Sequence, residues 1–488
     1  MAKQERTTLV LGAGVDALVA AHYLARAGHR VLVLDDRAAR DDLETGWIPP
    51  RIARDLALDR HGLRIDHPDP WISAPLPDGG CLELWHDVAR SAAAIRRLSP
   101  RDAAKWPAFC EGMARLARLL ETVYAAPPPD PMSRQLGELA RLAGLGLRAR
   151  RLGRQGIADL LRLLPMSVAD FLDDWFESEA LKGLLGAAGV MHLQQGPRSG
   201  GTAFRLLHHH VGSPAGVFRP PLSNIGAVLA KLPGAAVRRG AEVARITVRE
   251  GRAVGVVLAS GEEIATAVVV SGADPQRTLL ELVDPGWLDP ELARAVRNIR
   301  RRGVVARVTL TLERAPGFST LVLAPSLDDL EHAYDDAKYG RVSARPYLEA
   351  RSAEPLVDGR HRVHVHVQYA PYALPDGGWD DARRAALGDL VVEMLSPHLP
   401  AIVERTVLSP RDLEEAHGWP EGQAHHAELA LDQLLWMRPV PQLARYATPI
   451  EGLFLCGPSM HPGGGIAGAA GANAARVVLR DRRRRAVD

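Results

Sequence analysis

TLVLGAGVDALVAAHYLARAGHRVLVLDD, residues 8–36, is the stretch whose reading decides the fold. Residues 8–11 are a short apolar run of strand type, and Gly12-Ala-Gly14-Val-Asp-Ala17 follows with no spacer. Residues 18–27 carry apolar side chains at helical spacing and stop at Gly28. A second apolar run, 31–34, closes on Asp35-Asp36-Arg37. Strand, tight turn, helix, strand and acid in that order form the dinucleotide-binding unit of a doubly wound α/β fold. Gly12 and Gly14 let a pyrophosphate approach the backbone, and Ala17 fills the third place of the looser fingerprint. The first amides of the helix offer free N–H groups and the positive end of its dipole. Asp35 stands where an acid accepts hydrogen bonds from the adenosine ribose hydroxyls, with Asp36 and Arg37 beside it. The unit alone does not separate NAD from FAD.

The far end of the chain does. Phe454-Leu-Cys-Gly457-Pro-Ser-Met-His461-Pro-Gly-Gly-Gly465-Ile-Ala-Gly468 reads as a strand, a glycine-rich loop and the start of a helix. In a chain that opens with a nucleotide fold, such a loop lays backbone N–H groups against a flavin ring and its ribityl chain. One FAD then has to touch both chain ends, so the chain is expected to fold back on itself.

These residues, with His426-Ala-Glu-Leu429, Arg438-Pro439, Thr448-Pro449, Gly240-Ala-Glu-Val243-Ala-Arg-Ile246 and Val269-Val-Ser-Gly-Ala-Asp274-Pro275, resemble the phytoene desaturase-like FAD-dependent oxidoreductases. The resemblance is closest to the branch of pyridine nucleotide-disulphide oxidoreductase domain-containing protein 2. It spans nearly the whole chain and is specific at the ends, loose in the helical middle. It implies an α/β fold: a Rossmann-like FAD-binding domain of amine-oxidase and phytoene-desaturase type, with an interleaved α+β substrate domain. It implies non-covalent FAD and hydride withdrawal from a hydrophobic, polyene or lipid-like small molecule. Carried over by position, Gly12, Gly14 and Asp35 meet the pyrophosphate and ribose. Val243 meets the adenine through its backbone. Gly457, Gly464, Gly465 and Ile466 meet the ribityl chain and ring. The expected division is 1–70, 220–280 and 445–480 for FAD, 71–219 and 281–444 for substrate with a helical cap, and 481–488 as a basic tail. Two departures stand out. The paired glycines that the family places after its acid are absent from 38–46, and a second Pro-x-Gly-Gly appears as Pro220-Pro-Leu-Ser223-Asn-Ile. Bulkier residues at both places are expected to narrow the cofactor groove. They keep two further readings open: a flavoprotein-like scaffold that binds a lipid or partner without turnover, and a redox-neutral FAD-dependent isomerase.

Composition agrees with a large globular enzyme. The chain has 488 residues, 47% hydrophobic and 24% charged, with a formal net charge of +2. That is too long for one core and too balanced for a nucleic-acid-binding field. Three cysteines, Cys81, Cys110 and Cys456, lie far apart, so neither a disulfide framework nor a metal site is expected and a reducing cytoplasm fits. No apolar run reaches the ~18–20 residues that span a bilayer, and no secretory signal precedes the first motif. No Ser-His-Asp, Cys-His or paired-carboxylate signature appears, and hydride transfer to a flavin requires none. His461 is the one titratable residue certain to lie in the glycine-rich loop, and so a candidate for acid–base catalysis, with a loop-shaping hydrogen bond as the competing reading.

Residues 88–193 read as mostly helical. Within them 134–165 combines Leu136, Leu139, Leu142, Leu145 and Leu147 with Arg148, Arg150, Arg151 and Arg154, the composition of a segment that rests on a membrane surface. The competing reading packs those leucines inside the substrate domain. From 234 onward short strands prevail. His361-Arg-Val-His-Val-His-Val alternates as a strand whose histidines are expected to share one solvent-facing side. His208-His209-His210 are adjacent and so point apart, which argues against one shared ion.

Overall fold

The computed structural model describes residues 7–37 and 44–485. Its centre is a five-stranded parallel sheet in the order Leu453–Leu455, Val269–Ser271, Thr7–Leu11, Arg30–Asp35, Ala235–Arg239. The apolar runs read from sequence are these strands. Leu9, Val10, Val33, Val269, Val270, Leu453 and Leu455 are all but fully buried, as expected of a parallel sheet covered on both faces. The first, middle and last parts of the chain therefore meet in one sheet. The helix Val15–Arg26 rests against the C-terminal helix Ala469–Arg485. A Cβ on Gly471 would lie 1.8 Å from the Asp16 carbonyl oxygen, so only glycine permits that approach.

A three-stranded antiparallel sheet, Val243–Arg249, Arg252–Leu258 and Glu263–Ala265, sits beside this layer. Its last strand gave no clear signal in sequence, being three residues long. The first core continues through Leu282, Leu288, Leu292, Val296 and Ile299, so the segment after residue 280 packs with the parallel sheet.

The opposite half is a seven-stranded mixed sheet in the order Ile402–Leu408, Val305–Leu312, His361–Gln368, Tyr347–Pro355, Thr320–Leu323, Ile72–Pro75, Cys81–Leu84. One face packs on the helix Asp381–Leu395 through Val308, Leu310, Val363, Val365 and Ala350. Period-2 alternation sends the intervening residues to the other face. Helices between 88 and 210 form a cap around Trp106, Phe109, Phe176 and Phe218, whose rings lie 4.9 to 6.1 Å apart. Ser99, Ser167 and Ser178 open three of these helices by accepting a backbone N–H.

Two expectations need correction. Alternation places His361 on the core side with Val363 and Val365, where it is 7% exposed and bonded to Ser352 Oγ at 2.7 Å. His364 and His366 lie on the opposite face, half-buried, and that face lines a cavity with the exposed Arg362. The leucines of 136–147 are not buried in the substrate domain: Leu136, Leu139 and Leu147 are exposed and Leu142 and Leu145 half-buried, whereas Leu163 is buried in the cap and Leu152, Leu160 and Leu164 pack against it. In the helix Leu136–Arg150 the sole buried residue is Glu138.

Candidate functional site

The turn after the first strand opens on a deep cavity. Gly12 has φ +84°, and an added Cβ at Gly12 or Gly14 would meet nothing within 4 Å, so the turn leaves open space where a side chain would stand. Gly14 caps the helix Val15–Arg26 with no side-chain hydrogen bond, leaving the leading amides available to an anion. Gly12, Gly14, Ala17, Asp35, Asp36, Arg37, Val243, Gly457, Gly464, Gly465 and Ile466 all line this cavity. Every cofactor residue named from sequence is thus brought to one place. Arg239, which the sequence did not single out, donates to Asp35 Oδ2 at 2.6 Å and orients that acid at the cavity wall.

The C-terminal loop is held by buried polar groups. Arg438, fully buried, donates to the carbonyl oxygens of Ala427, Glu428, Gln433, Pro458 and Met460. Tyr124 Oη and Gly464 O each lie 2.9 Å from a ring nitrogen of His208. A Cβ on Gly464 would lie 1.9 Å from the His425 ring, so the loop and that imidazole are in close contact. The three adjacent histidines diverge as their helix requires: His208 toward Gly464, His210 to Val217 O at 2.6 Å, His209 to a second cavity. His461 lines neither cavity. It is fully buried, its Nε2 3.2 Å from Val123 O and its ring against Tyr124. Burial lowers its pKa to about 4, so it is neutral near pH 7.

The segment 38–43, where the family's paired glycines are missing, lies outside the described residues. Trp47 bonds along the glycine loop, its N donating to Gly465 O at 2.9 Å and its O accepting from Ala467 N at 2.8 Å, while Gly46 N donates to Pro221 O at 3.1 Å. At the second departure the bulk faces away from the first cavity. Pro220 and Leu222 line the second, whereas small Gly226 and Ala230 line the first.

The second cavity lies between the seven-stranded sheet and the glycine loop. His192, Arg307, Trp419, Ala424, His425 and Gly465 line both cavities, so the two share a wall. The histidines of that wall, His192 and His425, are half-buried and are pushed well below the usual imidazole range by desolvation first and by neighbouring charge, Arg205 included.

The chain matches the family described as flavin containing amine oxidoreductase over residues 51–479. It belongs to that family. Among its relatives, pyridine nucleotide-disulfide oxidoreductase domain-containing protein 2 of Rattus norvegicus is 34% identical over 547 residues, covering 98% of this chain and 94% of its own. Hydroxyneurosporene desaturase of Cereibacter sphaeroides is 27% identical, covering 97% of each chain. The neurosporene-forming phytoene desaturase of the same organism is 24% identical, covering 95% of this chain and 92% of its own. Among solved structures, cyclohexylamine oxidase from Brevibacterium oxydans superposes with a TM-score of 0.58 at 14% identity over 98% of this chain and 100% of that one, a likeness of fold. This flavin oxidoreductase is therefore of the phytoene desaturase-like kind, with an amine-oxidase fold, and FAD is its cofactor. The open glycine turn, the uncapped helix and the narrow glycine loop fit that cofactor.

Proposed function

We propose that this FAD-dependent oxidoreductase withdraws hydride from a carbon–hydrogen bond of a hydrophobic, lipid-like molecule held in the second cavity. The observation that carries the reading is the wall shared by the two cavities, which sets a molecule in one beside the glycine loop of the other. FAD, when bound, supplies the two-electron acceptor. The chain's own residues do the rest. Gly12, Gly14 and Ala17 give backbone access to a pyrophosphate, and Asp35 with Asp36 and Arg37 receives the ribose side. Val243 stands at the adenine end. Gly457, Gly464, Gly465 and Ile466 line the ring end. Met191, Leu222, Val305 and Leu413 offer apolar surface to a substrate. In this reading 1–70, 220–280 and 445–480 hold FAD, the segment through Ile299 packs onto that half, and 71–219 with 300–444 builds the substrate side. We assign His461 to shaping the loop rather than to proton transfer, since it faces neither cavity. The test is whether the purified protein carries FAD whose absorbance bleaches, without air, on addition of a substrate.

We also propose that the helices Leu136–Arg150 and Gly153–Leu163 rest on an anionic membrane surface. Leu136, Leu139, Leu147 and Leu161 are 86%, 45%, 62% and 64% exposed, and Arg148, Arg150, Arg151 and Arg154 are exposed among them. Glu138, the acid within the first helix, is already taken by Arg141 and Arg445 at 2.9 and 3.0 Å. The surface is thus apolar and positive, which suits acidic headgroups. No helix among the described residues is long and apolar enough to cross a membrane. The protein is expected to co-sediment with phosphatidylserine-containing liposomes and to come off as salt rises. Changing Leu136, Leu147 and Leu161 together to serine should reduce the bound fraction by about tenfold, from the apolar area removed. Equal sedimentation of that variant, or none by the parent at low salt, would contradict the contact.

A further inference from the structure

Two histidines on the wall between the cavities are fixed in place by buried side chains. His192 has φ +61°, left-handed backbone that a residue other than glycine keeps only when its surroundings impose it. Its N–H donates to Gln368 Oε1 at 3.0 Å, and its carbonyl oxygen accepts from Gln423 Nε2 at 2.8 Å. Gln368, fully buried, also donates to the carbonyl oxygens of Val190 and Leu193, on either side of His192. Gln423, 2% exposed, holds the second histidine as well, its Oε1 accepting from His425 N at 3.3 Å. The two imidazole rings lie 4.7 Å apart, and both residues line both cavities. Backbone strain clamped by two buried amides at a cavity wall points to a functional position.

The proton of the His425 ring has one place. Arg205, fully buried behind the wall, donates from Nη2 to His425 Nδ1 at 3.2 Å. A guanidinium has donors and no acceptor, so Nδ1 accepts. Desolvation first, then neighbouring His192 and Arg205, push the His425 pKa well below the usual imidazole range. The ring is therefore neutral near pH 7, and its single N–H is on Nε2. Among the described residues the hydrogen bonds of His425 run through Nδ1 and the backbone N–H, which leaves Nε2–H open. His425 is half-buried, and Nε2 is unpartnered without being sealed off, so this donor reaches the cavities that the residue lines. The ring lies against the glycine loop: a Cβ on Gly464 would fall 1.9 Å from its Cδ2 and 2.7 Å from Nε2.

We propose that His425 Nε2–H donates a hydrogen bond to a neutral oxygen of the substrate, a carbonyl or a hydroxyl, beside the carbon–hydrogen bond that loses hydride. The proposal rests on the oxidoreductase reading above and names its substrate class: an apolar molecule with an oxygen function at the end that meets the glycine loop, rather than a pure hydrocarbon. A neutral imidazole suits this task, since it polarises the oxygen while keeping its proton. An N–H facing a hydrocarbon chain would instead stay without an acceptor. Arg205 and Gln423 are positioning residues. The first fixes the tautomer and the second the place of the ring, and neither lines either cavity.

The test uses the full-length holoprotein and three probes of similar shape: 2-octanone, 2-octanol and 2-methyl-1-octene, in which a methylene replaces the carbonyl oxygen. Binding is read as a shift of the bound flavin's visible spectrum. In His425→Phe the ketone or the alcohol is expected to lose about tenfold in affinity relative to the alkene, the effect of leaving one acceptor unsatisfied. The ratio cancels any general effect of the substitution on the flavin. His425→Gln, which keeps an N–H donor, is expected to restore part of the loss. A larger loss for the ketone names a carbonyl, and a larger loss for the alcohol names a hydroxyl. Nitrogen NMR of protein with isotope-labelled histidines reads the tautomer independently. The resonances absent from His425→Phe are expected to show the proton on Nε2 in the parent and to lose that preference in Arg205→Met. A proton on Nδ1 in the parent, an unchanged tautomer in Arg205→Met, an equal change for all three probes in His425→Phe, or no binding of either oxygenated probe would overturn the proposal. The FAD content of the same samples tests the oxidoreductase reading separately, because it does not depend on which probe binds.

Discussion

Gly14→Trp is expected to give a folded protein that holds no FAD. Gly14 has φ −69° and ψ 164°, an extended conformation open to any L residue, so the substitution does not strain the turn. A Cβ there meets nothing within 4 Å, because it points into the first cavity. An indole at that place occupies the space against the uncapped helix start, where a pyrophosphate would lie. Gly12 is a poorer choice, since φ +84° would add backbone strain to steric block. The measurement is flavin released per chain on denaturation, with circular dichroism as the check on folding. The proper comparison for thermal stability is the parent protein stripped of FAD, because a ligand bound at 100 times its Kd adds about 2.7 kcal/mol by itself. A Gly14→Trp protein with one FAD per chain would show that this turn does not hold the cofactor.

Glu349→Ala should be the most destabilising single change in the substrate half. The carboxylate is buried between Arg219 and Arg351, whose side chains are 6% and 15% exposed. Removing it leaves both guanidiniums buried without their anion, a change that costs about 3–5 kcal/mol when a buried pair is broken. Burial alone would raise the Glu349 pKa, but Arg351 and Arg219 outweigh it and hold the carboxyl well below the usual carboxylate range. The direction of pH dependence follows. A group whose folded pKa is depressed contributes fully above its unfolded pKa, here about 4.5, and loses that contribution as pH falls below it. The gap in thermal stability between parent and variant should therefore be widest near pH 7 and shrink below about pH 4.5. Equal stability of the two at pH 7 would mean that the three charges do not act as a buried unit.

What was legible in the sequence is local. The turn at Gly12 and Gly14, the acid at Asp35 and the glycine loop 457–465 each carry their signal within a few residues. The cofactor residues named around those signals, and Val243, which the family resemblance supplied, line one cavity. Long-range partners were not legible. Arg239 meets Asp35 across 204 residues of chain, and Arg205 meets His425 across 220. Nothing in the neighbourhood of either arginine announces such a partner. The strand 361–368 shows a different failure. Counting by twos separates His361 from His364 and His366, so grouping all three on one side overlooked the parity. Counting still gives no clue that the polar side meets a cavity, since an alternating strand looks the same over water or over a polar chamber. The leucines of 136–147 were ambiguous for a related reason: apolar spacing marks a sticky face without saying what covers it.

The central claim is that this chain is an FAD-dependent oxidoreductase, and the flavin itself tests it most directly. Purified protein is denatured, and the released chromophore is identified and counted against the chain, before and after reconstitution with excess cofactor. The account predicts a yellow protein that releases intact FAD, approaching one per chain after reconstitution. Protein that stays colourless and releases no FAD after reconstitution would contradict it.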